Sequence, residues 1–320
     1  MVKYYLYHKT LYTYTNLISE NTNRIYLYPY NDVNQQLISH SIKVTGDPNI
    51  KTHIDVFNNR VGFFNYLKPH DSMMISSEAE IIVKEFSPTN NKNYDKNDWN
   101  ILKNYVFDIN LIPYLKVDQF FQKKKFNKFF NDLKNNNDSV LDFSNKLCEY
   151  VYKNFEYKKG ITDVYSTTDQ VWKLKSGVCQ DFSNVLIQIY RLVNIPARYV
   201  SGYIYAKDGL VGSGATHAWV EIFIPNIGWY GIDPTNNCPV GMYHIKLAVG
   251  KGYQDCSPVK GVFKGNEKQE MKVEVYLDTK PKSKNYKSSF KIFDNKILTD
   301  NKDSFENSFI KSQQIIQQQQ

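Results

Sequence analysis

The chain has 320 residues, 42% of them hydrophobic, with 40 Lys and Arg against 32 Asp and Glu for a formal charge of +8. That is length for two domains and apolar content for a sizeable core. The lysines are spread along the chain among asparagines, which reads as a solvated surface and argues against a nucleic-acid footprint.

The opening "MVKYYLYHKTLYTYT" alternates like a strand and holds no apolar stretch of the kind a signal peptide carries. No run approaches the roughly 18 apolar residues of a membrane span, so a soluble, cytoplasmic protein without membrane contact is expected. Residues 1–86 continue in short alternating runs such as "RIYLYPY" and "LISHSIKVTG", with Asn58 and Asn59 placed at a hairpin turn. This pattern predicts an N-terminal antiparallel β-sandwich. His8, His40, His53 and His70 are scattered through it without ligand-like spacing, so no metal site is expected.

Residues 87–139 read as a linker, "SPTNNKNYDKND", followed by a helical Asn- and Lys-rich segment. In "VDQFFQKKKFNKFF" lysines interleave with Phe120, Phe121, Phe126, Phe129 and Phe130, as on the solvated and buried faces of one helix. The four cysteines, Cys148, Cys179, Cys238 and Cys256, form no CxxC pair, and reduced thiols are expected. Cys148, among Leu147, Val151 and Phe155, reads as core.

"SGVCQDFSNVL" (176–186) sets Cys179 at the start of a helix whose buried face is marked by Phe182, Val185, Leu186, Ile189, Leu192 and Val193. The first turn carries unpaired N–H groups and the positive end of the helix dipole, which stabilise a thiolate. Gly177 offers a position without Cβ near the sulfur, for a turn or an approaching substrate. Gly212 and Gly214 in "VGSGAT" precede neither a GK[ST] ending nor a helix, so they read as loosening the loop ahead of His217 and not as a phosphate cradle.

In "THAWVEIFIPNIGWYGIDPTNN" (216–237) Ala218, Val220, Ile222 and Ile224 alternate with His217, Trp219, Glu221 and Phe223, and "PNIG" turns the chain into a returning strand. His217 and Asp233 therefore meet at the open end of a hairpin. A plain four-residue connection would set Asp233 opposite Val220, on the apolar face and away from His217. One extra residue on the returning strand sets it opposite Trp219, diagonal to His217. A bulge or irregular turn between Pro225 and Gly231 is predicted, with Gly228 and Gly231 as candidate positions.

"GVCQDF", "IPARYVSGY", "HAWVE", "GWYGIDPTNN" and "HIKLAVGKGYQDCSPVKGVFKG" together resemble the transglutaminase-like superfamily in its bacterial-type branch. The first ~85 residues resemble that branch's N-terminal β-rich domain, so the likeness extends to about Leu277. It implies an α+β chain in which a papain-like core at 140–277, a Cys-bearing helix on an antiparallel sheet, follows a β-sandwich at 1–86. The Gln-rich end, 278–320, reads as a disordered low-complexity tail. Ser183 and Asn184 stand where the branch commonly has Ala-His, which alters the packing behind the nucleophile. Gln180 replaces the tryptophan of the animal enzymes, and no calcium-loop spacing is visible, so neither calcium nor another cofactor is implied.

Carried over, the family's triad falls on Cys179, His217 and Asp233. The implied chemistry is acyl transfer at an amide through a thioester, resolved by water or by an amine. The partners implied are a protein or peptide bearing glutamine or another amide, and an amine acceptor. A cysteine protease of the same fold and a non-catalytic scaffolding module are the alternatives.

Overall fold

A computed structural model describes residues 1–85, 98–118, 130, 133, 135, 138–162, 166–205, 209–212, 214–265 and 267–283. The expected linker, most of the Phe- and Lys-rich segment and nearly all of the Gln-rich end lie outside these residues, although Phe130 is described and buried. No helix among the described residues is long and apolar enough to cross a membrane.

One long strand organises the N-terminal domain. In β1 (Val2–Ile25) the alternation buries Tyr4, Leu6, His8, Thr10, Tyr12 and Tyr14 along one face. The sequence suggests shorter runs, yet pairing with the later strand that begins at His70 survives a register shift between Thr13 and Ile18, so the strand continues through it. β2 (Gln35–Val44), β3 (Lys51–Ile54), β4 (Arg60–Tyr66) and β5 (His70–Val83) complete the first pass. β5 flanks the first half of β1 and β4 the second half. The predicted turn at Asn58 and Asn59 joins β3 to β4. Asn58 has φ +67°, and the Asp55 carboxylate accepts from the Phe57 and Asn59 N–H groups at 2.9 and 2.8 Å.

Five α-helices and seven further strands follow among the described residues: α1 (Asp98–Asn104), α2 (Val140–Asn154), β6 (Glu156–Tyr157), α3 (Thr168–Leu174), β7 (Ser176–Gly177), α4 (Cys179–Leu192), β8 (Ala197–Ile204), β9 (His217–Ile224), β10 (Gly228–Asp233), β11 (Cys238–Pro239), β12 (His244–Gly250) and α5 (Tyr253–Cys256). α2 opens with a capping box, Ser139 and Asp142 each accepting from the other's backbone N–H. The central sheet is antiparallel in the order β11-β10-β9-β8-β12, with α4 against β8 and β9.

Phe182, Val185, Leu186 and Ile189 of the predicted stripe are buried while Leu192 and Val193 are half-buried, and of the other helix residues all but Asn184 are buried too. The sheet covers one side and α2 and α3 cover others. At its far end Arg191 donates to the carbonyls of Tyr114, Lys116, Ala197 and Lys251, which satisfies a buried guanidinium. Each fully buried apolar side chain, such as Phe182 or Leu186, contributes about 1.5–3 kcal/mol through area removed from water.

The last two strands, β13 (Val259–Lys264) and β14 (Gln269–Asp278), leave the central sheet and pair with β1. β14 covers Tyr5–Tyr14 on the side opposite β5, and β13 covers Ser19–Ile25. The division by sequence groups these strands with the core at 140–277, whereas their hydrogen bonds belong to the first domain. Their alternating pattern fits either sheet. What decides is that β1 would otherwise present a long unpaired edge.

The two domains share a core, in which Tyr203, Ile245 and Leu247 of the central sheet pack among Tyr4, Leu27 and Ile75. Two side-chain amides extend the pairing across the junction. Asn59 donates to Val249 O and accepts from Val249 N at 2.7 and 2.8 Å. Gln35 does the same with Lys246, both at 2.7 Å. β12, the outer strand of the central sheet, is thereby fixed from both sides.

Candidate active site

Cys179 is the first residue of α4, with Val178 at the N-cap. The Val178 N–H and the Thr162 hydroxyl both donate to Asp181 Oδ2, at 2.9 and 2.7 Å. A Cβ on Gly177 would lie 2.5 Å from the same oxygen. The glycine thus makes room for the Asp181 carboxylate, which fixes the entry of the chain into the helix. Of the two uses expected for this glycine, a turn or an approaching substrate, the contact with Asp181 bears on the turn.

The β9–β10 hairpin has the predicted irregular turn. Ile227 N–H closes it on Ile224 O at 3.2 Å, Asn226 has φ +63° and Gly228 φ +90°. Ile224 pairs with Gly228, not with Trp229, and the register runs on to Val220 opposite Ile232. Asp233 therefore follows onto the His217 face, and Asp233 Oδ2 stands 2.8 Å from His217 Nε2. Gly231, the other candidate position, serves differently: a Cβ there would lie 2.5 Å from the Val240 side chain.

Cys179, His217 and Asp233 are all buried. Burial alone would lower the His217 pKa, but the Asp233 charge, its hydrogen bond and the adjacent Cys179 thiol outweigh that and raise it to about 10. His217 Nδ1 is the ring nitrogen that Asp233 leaves open. It is covered by the 209–212 segment, where a Cβ on Gly212 (φ +112°) would lie 2.5 Å away. Gly212 therefore packs on the imidazole, a closer role than the loosening expected from sequence. Gly214 has nothing within 4 Å of its Cβ position.

Asp233 is saturated with donors. Oδ2 accepts from His217 Nε2, Asn236 Nδ2 at 2.7 Å and His244 Nε2 at 3.1 Å, and Oδ1 accepts from the Thr235 and Asn236 N–H groups at 2.9 and 3.3 Å. Burial opposes the charge, yet the His217 cation and the bonds from His217 and His244 hold the carboxyl well below the usual range. Asn236 also pins the covering loop, accepting from Val211 N–H at 2.7 Å and donating to Val211 O at 3.2 Å.

His244 and Asn236 are functional candidates that sequence reasoning misses. Asn236 has a local signal, since an Asp followed by polar residues folds back on the next N–H groups. His244 has none beyond heading the alternating "HIKLAVG". Donor atoms of His217, Asp233 and His244 lie within 4.8 Å of one another. The atoms that converge are already bonded through the Asp233 carboxylate, so the trio reads as a hydrogen-bond network and not as a cation site.

None of the four cysteines is in a disulfide. Cys148 is core as expected, its thiol donating to Asp233 O at 3.7 Å and its pKa pushed up by burial and by the Asp233 charge. The same causes push Cys238 up to about 12.

Residues 127–234 match the family described as the transglutaminase-like superfamily, and residues 4–82 match the bacterial transglutaminase-like N-terminal region. An uncharacterized protein of Mycobacterium tuberculosis is 25% identical over 87% of this chain and 93% of its own length. The protein-glutamine gamma-glutamyltransferase of Pseudomonas aeruginosa is 31% identical over 28% of this chain and 14% of its own. Among solved structures, a proposed cysteine protease from Cytophaga hutchinsonii superposes with a TM-score of 0.65 and 21% identity, covering 88% of this chain and 93% of that one. That likeness extends to the fold: a papain-like α+β core with an N-terminal β domain.

Proposed function

With its core matched between 127 and 234 and its N-terminal region between 4 and 82, the chain belongs to the transglutaminase-like superfamily, and from that premise we propose that it is an acyl-transferring cysteine enzyme acting on side-chain amides of proteins. The observation that carries this reading is the His217–Asp233 contact of 2.8 Å beside a cysteine at a helix start.

In this reading the Cys179 thiolate attacks the amide carbonyl carbon. The oxyanion that forms is met by the Cys179 N–H, in the turn whose N–H groups make no intrahelical bond. His217, protonated at neutral pH because Asp233 sustains its charge, gives a proton to the departing nitrogen as the C–N bond breaks. Ammonia leaves and a thioester remains. Neutral His217 then takes a proton from the second nucleophile, which attacks the thioester and returns the thiolate. With an amine the product is a new amide, and with water a carboxylate.

Incubating the protein with a glutamine-containing protein, with and without a labelled primary amine, tests the reading by mass spectrometry. Labelled adducts mean amine transfer, deamidation without adducts means hydrolysis, and new termini mean proteolysis. None of the three, or equal products from a Cys179→Ala variant, refutes covalent catalysis.

A further inference from the structure

We propose that His244 is a positioning residue of this site: a neutral Nε2–H donor that fixes the Asp233 carboxylate in the orientation that aligns His217. The inference rests on the acyl-transfer reading above and adds a second histidine to it.

The tautomer follows from the turn that leads into β12. Gly241 N–H points at His244 Nδ1 at 3.4 Å, so Nδ1 must accept and its proton must be on Nε2. The His244 N–H in turn donates to Gly241 O at 3.1 Å, which closes a four-residue turn around the ring. Nε2–H then has one acceptor, Asp233 Oδ2 at 3.1 Å. The ring is held besides by Trp219, edge-on at 5.3 Å between centroids, and it is almost fully buried. β12 itself is anchored to β8, His244 pairing with Ile204, and to the N-terminal domain through Gln35 and Asn59. His244 thus delivers a donor from a rigid strand, whereas Asn236 donates from the turn that follows Asp233.

Two consequences follow for His217. A carboxylate offers about four acceptor sites, and here they are filled from five directions, so Asp233 cannot rotate away from the imidazole. The donation from His244 also spreads the Oδ2 charge between two imidazoles. Without it, Asp233 would hold the His217 proton more tightly, and His217 would be a poorer acid toward the departing nitrogen.

The test uses the full-length protein with ¹⁵N-labelled histidine, and iodoacetamide as the probe of the Cys179 thiolate. In the wild type, His244 should show a pyridine-type Nδ1 and a pyrrole-type Nε2 around neutral pH. His244→Phe should shift the His217 titration upward and slow amide turnover about tenfold, the loss of one hydrogen bond to a charged group. His244→Gln, which can present an N–H near the same point, should recover most of both, whereas alkylation of Cys179, which needs only the thiolate that a more firmly protonated His217 favours, should not fall in either variant. A merely structural role would lower the melting temperature of both variants and leave the His217 titration in place. An unshifted titration in folded His244→Phe, equal losses in the Gln and Phe variants, or a proton on His244 Nδ1 in the wild type overturns the proposal. The tautomer and the titration are read without substrate, so absence of turnover would count against the acyl-transfer reading alone.

Discussion

Gly212→Ala puts the closeness of the covering loop to the imidazole to a quantitative test. At φ +112° an L side chain is strained, at about 1–3 kcal/mol. The new Cβ would also lie 2.5 Å from His217 Nδ1, where ordinary contact begins at 3.4 Å. Something must recede by about 1 Å. The loop is tied down on both sides of the Val211 peptide by Asn236, and the ring is held by Asp233 at 2.8 Å. If the ring yields, a displacement of that size costs about a hundredfold in rate. Gly214→Ala is the control, since it brings a positive φ of +79° without any neighbour within 4 Å. The assay is turnover of a glutamine donor together with Cys179 alkylation, alongside thermal melts of both variants. Gly212→Ala should lose most of its rate, while Gly214→Ala loses a few degrees of melting temperature and keeps its rate. Equal rates in the two variants would show that the 209–212 segment does not bear on His217, and the reasoning would fail.

Cys179→Ala should abolish turnover with little change in melting temperature, whereas Cys148→Ala should keep turnover and lose about 1–2 kcal/mol of stability, read from denaturant melts. Acid stability should depend on Glu221, which accepts from Arg198 at 2.6 Å and Lys246 at 2.7 Å. Burial opposes its charge, but these two cations lower its pKa to about 2, so its contribution is full above pH 4.5 and disappears as the pH falls toward about 2. Melts against pH should show that loss, and Glu221→Gln should flatten it. His217, raised to about 10, has the opposite sign: its contribution is full below pH 6.5 and is lost as the pH rises toward about 10, a loss that should vanish in Asp233→Asn. A fragment ending at residue 86 should not fold alone, because it lacks β13 and β14 and leaves β1 unpaired along one side. A cooperative melt of that fragment would contradict the pairing.

Much of the fold is legible locally. Alternation marks β9 and β10, and the three-and-four spacing of Phe182, Val185, Leu186 and Ile189 marks α4, because these periods are set by the element itself. What lies beyond one element is less legible. β13 and β14 look like strands of whichever sheet is nearest in sequence, and their partner is fixed only by the open edge of β1. Burial around α4 depends on how many layers surround it, and nothing in the local sequence tells that Gly177 accommodates a carboxylate and Gly212 an imidazole.

The site shows the same division. The family resemblance names Cys179, His217 and Asp233, but whether Asp233 can reach His217 is a question of register, and a slip of one residue turns every side chain of β10 to the other face. The chemistry constrains the geometry here: an aspartate that orients a histidine must share its face, so the turn must tighten from four residues to three. Asn226 and Gly228 do so with positive φ. Register reasoning could not reach His244, because it lies two strands beyond β9 on the far side of β8 and approaches Asp233 across the open end of the sheet, not along a paired strand. A residue of that kind becomes visible only when the donors to the carboxylate are counted in space, and that count gives Asp233 a second histidine.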